Sequence, residues 1–216
     1  MRKSIRNMAR HLVQCGLNQG SAGNVSVRDG DGMIITPSGI DTGSLRAKQM
    51  VAVGSDGRWS GPWKPSSEWR FHHDIYARRP DIRAIIHCHS PHATALAVLG
   101  RGIPAFHYMV AMAGGVDIRC TPYALFGTQE LSDLVVTGLD GRQACLMGHH
   151  GMIACGADLD RAFALAVEVE HLAGIYLSLL PMGEPPRLDD RQMTEVLEKF
   201  KGYGANAQKP ENALVK

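Results

Sequence analysis

The sequence lacks any concentration of charge of one sign. Its 216 residues contain 23 lysines and arginines against 21 aspartates and glutamates, which leaves a formal net charge of +2 at pH 7. The densest basic group, within residues 78–83, lies beside Asp74 and includes Asp81. Capture of nucleic acid by charge needs a concentrated basic face. We therefore predict no nucleic-acid partner.

Long apolar runs are also scarce. We expect no membrane span, because no segment approaches the roughly 20 apolar residues that a span requires. Residues 1–16 are basic but contain no apolar core of a signal peptide. The five cysteines are odd in number and show no CxxC spacing, so we interpret them as reduced thiols. Together these features predict a cytoplasmic protein with no membrane partner.

Internal repeats, low-complexity segments and linkers are absent as well. A chain of 216 residues suffices for one domain with a sizeable core. We predict a single domain over residues 1–205 and a flexible tail over residues 206–216. Neither a Walker motif nor a GxGxxG motif occurs, so the sequence does not indicate a nucleotide ligand.

Strand-like and helix-like segments alternate along the chain, judged by hydrophobic period and turn residues. The strands are predicted within residues 24–28, 32–36, 50–59, 82–90 and 143–156. The helices are predicted within residues 65–80, 90–100, 129–139, 158–181 and 190–204. This intermixing predicts a layered α/β fold in which helices cover a sheet.

Two histidines end the apolar run of residues 82–90. Because residues i and i+2 of a strand point to the same face, His87 and His89 are expected side by side, with Cys88 turned the other way into the core. Catalytic zinc typically has three protein ligands and one open position. The tight turn "GHHG" offers His149 and His150 as sources of a third imidazole. We interpret His72 and His73 of the preceding helix as packing or solvent-facing residues.

A carboxylate partner for this cluster is expected at the start of the helix within residues 65–80. Ser66 or Ser67 would cap that helix, and Glu68 suits its first turn because a helix start stabilises an anion. Ser90 is likewise expected to cap the next helix. Three small-residue turns, "SAGNVS", "TPSG" and "PSSE", have the composition of oxyanion-binding loops.

Seven segments carry a resemblance to a known family. In chain order they are "GLNQGSAGNVSVR", "MIITPSGI", "PSSEWRFH", "AIIHCHSPH", "FHYMVAMAGG", "YALFGTQEL" and "GHHGMIACG". Together they resemble the class II aldolase/adducin family over about residues 16–203. The resemblance implies one α/β domain with a mainly antiparallel central sheet covered by helices on both faces.

The resemblance also implies a site. It assigns Zn²⁺ to His87, His89, His150 and Glu68, with manganese or cobalt as alternative metals, and makes Glu68 the catalytic acid/base. The implied phosphate-binding residues are Gly23, Asn24, Ser38, Gly39, Ser66 and Ser67. Many members have threonine at the position of Ser38, and both residues supply a hydroxyl.

Two tyrosines complete the implied site. Tyr108 corresponds to a catalytic proton donor that reaches the site from a neighbouring subunit. Tyr203 corresponds to a residue of a tail that closes over the site. The implied assembly is a ring-shaped homotetramer with active sites at the subunit interfaces.

The implied reaction is cleavage of a ketose 1-phosphate, of the L-fuculose 1-phosphate type, to dihydroxyacetone phosphate and an aldehyde. Such cleavage needs either a Lewis-acid metal or a Schiff-base lysine. None of the seven lysines lies in an apolar strand, so the metal route is favoured.

Other activities of the family remain alternatives. The same aldol cleavage on 5-deoxyribulose 1-phosphate or 5-methylthioribulose 1-phosphate would use the same metal and phosphate site. The family also includes a pentulose-phosphate 4-epimerase, a dehydratase and adducin, which binds without catalysis. Epimerases usually have aspartate at the position of Glu68, and a binding module has no need of the metal residues.

Overall fold

A seven-stranded sheet forms the centre of the molecule. The computed structural model describes residues 1–201, so Tyr203 and the predicted tail lie outside the described residues. The strands are β1 Asn24–Asp29, β2 Gly32–Ile35, β3 Val51–Val53, β4 Ala84–Cys88, β5 Arg119–Thr121, β6 Ala144–Met147 and β7 Gly151–Gly156. Their order is β3-β2-β1-β4-β7-β6-β5. All neighbours pair antiparallel except β5 and β6, which confirms the mainly antiparallel sheet.

Helices cover both faces of this sheet, as predicted. They are α1 Arg2–Gln14, α2 Trp69–Arg78, α3 Pro91–Val98, α4 Gln129–Gly138, α5 Leu159–Leu179 and α6 Asp190–Lys201. One apolar core lies between the sheet and α1, α3, α5 and α6. A second core lies between the opposite face and α2 and α4. The fold is therefore a single three-layer unit.

The central strand β4 is buried along its whole length. Its alternate residues Ala84, Ile86 and Cys88 join the first core, and Ile85 joins the second. His87 therefore faces the α2 layer, where its ring contacts Phe71 at a centroid distance of 5.6 Å. This alternation confirms that Cys88 turns away from the histidine pair.

The segment Leu159–Met182 passes a compositional test for a membrane span, although the sequence analysis expects no such span. By length and composition this helical segment is long and apolar enough to cross a membrane. The core helix of a soluble protein passes the same test, and one face of α5 contributes Ala162, Ala166 and Val169 to the first core. We therefore attribute the apolar composition of α5 to its packing against the sheet.

Two helix starts differ in detail from the expected serine caps. Glu68 itself is the N-cap residue of α2, and its N–H donates to Ser66 Oγ at 3.3 Å. Ser90 makes no side-chain cap bond at α3. Instead the Glu170 carboxylate of α5 accepts from the N–H groups of His92 and Ala93, both at 2.9 Å. A carboxylate beside these free N–H groups also complements the helix dipole.

Candidate functional site

Three histidines converge at the ends of two central strands. His87 lies in β4, His89 directly follows that strand, and His150 directly precedes β7. One ring nitrogen of each lies within 4.8 Å of the others. The ring centroids are 4.8 to 5.0 Å apart, and the interplanar angles of 64° to 81° rule out parallel stacking. The antiparallel pairing of β4 with β7 brings these separate segments together.

Hydrogen bonds from neighbouring groups orient this triad. His87 Nδ1 donates to the Met152 carbonyl at 2.9 Å, which leaves the Nε2 lone pair directed at the other histidines. His89 Nε2 lies 3.0 Å from His87 Nε2. Burial, with the neighbouring charges of His87 and His150, lowers the pKa of His89 to about 4. A neutral imidazole with an available lone pair is the form that binds a metal.

The turn between β6 and β7 brings His150 into the triad and carries an unusual backbone conformation. His149 has φ of 57° and is the only non-glycine residue with positive φ among residues 1–201. Such left-handed backbone disfavours most side chains. The N–H of His149 donates to the Ala97 carbonyl, and that of His150 donates to the Met147 carbonyl, both at 3.0 Å. The turn is thus held in a form that directs His150 at the triad and leaves His149 exposed.

Glu68 lies against the triad. Its Oε2 is 3.2 Å from His87 Nε2, and its Oε1 is 3.0 Å from His150 Nε2. Burial by itself would raise the pKa of Glu68, but the close contacts with His87 and His150 outweigh it and hold the pKa far below its usual range. The carboxylate is therefore ionised within a largely buried site.

The donor set fits a divalent cation. Three imidazole nitrogens and a carboxylate are ligands that zinc accepts, and three histidines with an open position are typical of catalytic zinc. Glu68 Oε1 is buried and has no well-formed hydrogen bond within the described part of the chain. A buried carboxylate oxygen without such a partner is costly unless a cation or a proton satisfies it.

The three small-residue turns border the same site. A cavity of about 420 Å³ is lined by all six predicted phosphate residues together with Glu68, His89 and His150. Thr36 joins the turns, because its Oγ1 accepts from the Val25 N–H at 3.2 Å and its carbonyl accepts from the Ser66 N–H at 2.9 Å. No lysine or arginine of residues 1–201 lines this cavity. An anion there would be bound by N–H groups, hydroxyls and the metal.

Gly23 fits this wall only because it has no side chain. Its φ is +69°, and a Cβ would lie 2.2 Å from Asn18 Nδ2 and 2.5 Å from the His87 carbonyl. The buried Asn18 side chain in turn accepts from the His89 N–H at 3.0 Å. The sequence analysis missed Asn18, because nothing local indicates its contact with a strand end 71 residues away.

Aromatic side chains at the cavity mouth were also missed. Tyr123 and Phe126, in the loop that follows β5, line the cavity together with His149. They are 60% and 61% exposed, which is high for large apolar residues. Tyr123 meets the ring of His149 edge-on at 6.1 Å. This rim offers apolar surface at an otherwise polar cavity.

Tyr108 lies apart from the triad. It begins a 3₁₀ segment, Tyr108–Ala113, that the sequence analysis missed, and it is 51% exposed. It lines a separate groove against α6 and does not line the cavity of Glu68. Tyr203 lies outside the described residues. The structure thus brings together the other predicted site residues without Tyr108, and the role of each stays a prediction.

Comparisons with known proteins agree with this fold. Residues 3–177 match the family model "Class II Aldolase and Adducin N-terminal domain". The 5-methylthioribulose-1-phosphate/5-deoxyribulose-1-phosphate aldolase of Rhodospirillum rubrum is 57% identical over 97% of this chain and 95% of its own. The L-fuculose phosphate aldolase of Escherichia coli K12 is 49% identical over 94% of both chains. A solved L-fuculose 1-phosphate aldolase superposes with a TM-score of 0.89 at 40% identity, covering 93% of this chain and 95% of that one.

The family model and the similar aldolases place this three-layer fold, with its histidine triad beside a buried carboxylate, in the class of aldolases, and the triad could hold a metal ion. The chain belongs to the class II aldolase/adducin family. The resemblance identified from seven short segments is thereby confirmed, and so is the expectation of an aldolase rather than a binding module.

Proposed function

We propose that the chain reversibly cleaves a ketose 1-phosphate, of the L-fuculose 1-phosphate type, to dihydroxyacetone phosphate and an aldehyde. One observation carries this proposal: the three phosphate-type turns border one cavity together with Glu68 and two histidines of the triad, His89 and His150, and the third, His87, contacts Glu68. The cavity would hold a phosphate at one end and the reacting carbons at the other. The names of the similar aldolases support the same reaction class.

The phosphate end would bind and orient the substrate. Backbone N–H groups of the turns at Gly23 and Gly39 and the hydroxyls of Ser38, Ser66 and Ser67 are suited to phosphate oxygens. Binding energy gained there would position the bond between C3 and C4 and so reduce the entropy cost of reaction. Since no basic side chain lines the cavity in residues 1–201, these groups would carry phosphate recognition.

Glu68 would move the proton at C3. Its carboxylate lies between His87 and His150 at the base of the cavity, and the turns hold the phosphate end beside it. In the cleavage direction, negative charge develops on the dihydroxyacetone phosphate fragment, and protonation at C3 completes the product. In synthesis the carboxylate accepts the same proton.

His87, His89, His150 and Glu68 would hold the metal, and we propose Zn²⁺, with manganese or cobalt as alternatives. A bound divalent cation supplies Lewis-acid stabilisation of the oxygens on which charge develops. His87 would keep its ligand geometry through the Nδ1 bond to the Met152 carbonyl.

Tyr108 would donate the proton to the oxygen of the departing aldehyde from a neighbouring subunit. This tyrosine is half exposed and does not line the cavity of its own chain, as a residue that acts in trans requires. The proposed assembly is a homotetramer with sites at its interfaces, and Tyr203 is proposed to act in closure of the site. We also propose a cytoplasmic location for the enzyme.

A second candidate substrate class is 5-deoxyribulose 1-phosphate and 5-methylthioribulose 1-phosphate. The aromatic rim of Tyr123 and Phe126 favours it, because a methyl or methylthio end has no hydroxyl to bind and suits apolar contact. The Rhodospirillum rubrum relative carries that activity in its name. The metal and phosphate ends would be common to both classes.

A coupled assay for dihydroxyacetone phosphate release tests the proposal. L-Fuculose 1-phosphate, 5-deoxyribulose 1-phosphate and 5-methylthioribulose 1-phosphate are compared with and without a chelator, with L-ribulose 5-phosphate as the epimerase substrate. We expect release from at least one 1-phosphate that the chelator abolishes and added Zn²⁺ restores. The ranking of kcat/KM identifies the substrate.

Two outcomes would contradict the proposal. Bound zinc without release from any 1-phosphate would favour an epimerase or a dehydratase. Absence of both zinc and release would favour a binding module of the adducin kind.

A further inference from the structure

A buried row of polar side chains runs between β1 and α2. On the strand, Asn24 and Ser26 alternate with apolar residues, and on the helix side Glu68, His72 and Tyr76 recur at intervals of four. Two strand residues rise about 6.8 Å and four helical residues about 6.0 Å, so the two series stay in register. We call these five residues the polar ladder. It crosses the second core, between β1 and α2.

Every step of the polar ladder is a hydrogen-bond contact. Asn24 Nδ2 donates to Glu68 Oε2 at 2.9 Å, and Asn24 Oδ1 meets His72 Nε2. His72 Nδ1 lies 2.7 Å from Ser26 Oγ, which lies 2.9 Å from the Tyr76 hydroxyl. His72 and Ser26 are fully buried, and Tyr76 and Asn24 are each 4% exposed. Solvent therefore cannot replace these contacts.

The direction of these bonds follows from the donors and acceptors available. Asn24 Nδ2 also donates to Ser66 Oγ at 2.9 Å. Both N–H groups of the Asn24 amide therefore point toward Ser66 and Glu68, and its oxygen faces His72. His72 Nε2 must then carry a proton and donate it. Nδ1 of the neutral ring accepts from Ser26, and Ser26 Oγ accepts from Tyr76. With this assignment the ladder contacts of Asn24, His72, Ser26 and Tyr76 each have a donor and an acceptor.

The other neutral tautomer of His72, with its proton on Nδ1, would disturb the hydrogen bonds of Glu68. A His72 ring protonated at Nδ1 alone would present a lone pair to Asn24 Oδ1. The Asn24 amide would then have to rotate by 180°, which would turn its oxygen against the Glu68 carboxylate and leave the carboxylate without a donor. An ionised carboxylate in a buried site loses stabilisation when a hydrogen bond to it is removed.

We propose that His72 is a positioning residue for Glu68 and acts through the Asn24 amide. The Nε2–H tautomer of His72, held by Ser26 and Tyr76, keeps the Asn24 donor on Glu68 Oε2 and so holds the carboxylate in one orientation. The catalytic consequence rests on the proposed function, in which Glu68 moves the proton at C3. The hydrogen-bond direction itself does not depend on that function.

Two substitutions of nearly equal size and polarity separate positioning from packing. The amide nitrogen of His72→Gln can reach the place of Nε2 and donate to Asn24, whereas His72→Asn reaches only the place of Nδ1. For the zinc-loaded enzyme and the best 1-phosphate substrate, we expect His72→Asn to lower kcat by about 10-fold or more with little change in KM. His72→Gln should stay within about 3-fold of wild type. Zinc content, by elemental analysis, should be the same in all three proteins.

The tautomer is measured directly on the wild-type holoenzyme. Solid-state NMR of protein labelled with ¹⁵N-histidine distinguishes protonated from unprotonated ring nitrogens, and the spectrum of His72→Gln assigns the His72 signals. We expect a proton on Nε2 and none on Nδ1 at neutral pH. This readout needs no substrate and no variant activity, so it decides the bond direction even where His72→Asn fails to fold.

The outcomes separate the two proposals. A proton on Nδ1 and none on Nε2, or equal kcat losses in His72→Gln and His72→Asn, would overturn the positioning role. Wild-type kcat in a folded His72→Asn would overturn it as well. A wild-type enzyme that cleaves no ketose 1-phosphate would overturn the proposed function instead, while the NMR result would still decide the direction of the polar ladder.

Discussion

At the scale of single residues, Glu68 belongs both to the site of the histidine triad and to the polar ladder. One carboxylate oxygen faces His150, and the other faces both His87 and the Asn24 amide. The side chain is thus held from two sides before any substrate arrives. A proton carrier fixed in this way meets the requirement of preorganised geometry.

Glu68→Gln tests this residue most simply. The substitution keeps size and polarity but removes the group that carries the proton, so kcat for dihydroxyacetone phosphate release should fall by about 10²- to 10⁴-fold. The circular dichroism spectrum should be unchanged. His89→Ala serves as the comparison, because it should lose bound zinc as well as activity. Cleavage by Glu68→Gln at the wild-type rate would show that the assigned mechanism is wrong.

Gly23→Ala tests the fit of the cavity wall. The added methyl would enter the space of Asn18 and of the His87 carbonyl, in a backbone conformation that alanine disfavours. We expect the free energy of unfolding to fall by about 1–3 kcal/mol, measured in urea, and zinc binding to weaken because Asn18 holds the His89 backbone.

Gly20→Ala is the matched control for Gly23→Ala. Gly20 also has positive φ, of 59°, but a Cβ there would meet nothing within 4 Å. Equal losses of stability in the two variants would mean that backbone strain alone is responsible. Zinc affinity should then be unaffected in both.

His87 and His89 could be predicted because their signal is local, whereas the choice of His150 over His149 needed the family resemblance. The spacing of His87 and His89 and the glycines around His150 are visible within a few positions. His72 is buried, in agreement with its interpretation as a packing residue, but its hydrogen-bond partners could not be predicted for the opposite reason. Its partners Asn24 and Ser26 lie 48 and 46 positions away, on a strand whose register the sequence does not give.

At the scale of elements, strands and helices with clear turn residues were predicted well, and short or polar ones were missed. The missed elements include α1 Arg2–Gln14, the three-residue strand β5 and the 3₁₀ segment Tyr108–Ala113. The sequence analysis of residues 1–16 considers only a signal peptide. The spacing of Ile5, Ala9 and Leu12, which are buried in α1, is a helical signal that it missed. A strand of three residues has too few positions to show an alternation.

The carboxylate of Asp74 links helices α2 and α4. Asp74 of α2 accepts from Ser132 Oγ at 2.6 Å and from Gln129 Nε2 at 2.7 Å, both on α4. Partial burial opposes ionisation of Asp74, but hydrogen bonds from Ser132, His73 and Gln129 outweigh it and hold its pKa below the usual value. The ionised form is therefore the one that the folded state stabilises.

Asp74→Asn should destabilise the fold in a pH-dependent way. At pH 7 we expect the free energy of unfolding to fall by about 1 kcal/mol, an estimate reduced for partial solvent exposure. Because the folded-state pKa of Asp74 is lowered, its contribution is present above the unfolded value of about 3.9 and is lost as the pH falls through the folded value. Urea unfolding at pH 7, 5 and 3.5 measures this difference.

Glu195→Gln, an exposed carboxylate on α6, controls for the change of net charge. It should change stability little at any of the three pH values. A gap between Asp74→Asn and wild type that widens below pH 4 would contradict the sign of the lowered pKa.

At the scale of the whole molecule, residues 1–201 of a single chain bring together most of the predicted site, but the predicted proton donor Tyr108 lies away from it. The cavity is lined by Glu68, His89, His150 and the phosphate turns, whereas Tyr108 lines a different groove. Neither hydrophobic period nor composition carries information on how subunits meet. The assembly could therefore be expected from the family resemblance alone.

Mixed assemblies test whether Tyr108 acts across a subunit interface. Glu68→Gln and Tyr108→Phe subunits should each be impaired alone, since one lacks the proton carrier and the other lacks the proposed donor. After joint denaturation and refolding, some sites combine an intact Glu68 with an intact Tyr108 from the neighbouring subunit. Random assembly of equal amounts makes that share about one half times one half, so we expect about a quarter of wild-type kcat per site. Each variant refolded by itself is the control, and no gain on mixing would show that Tyr108 does not complete a neighbour's site.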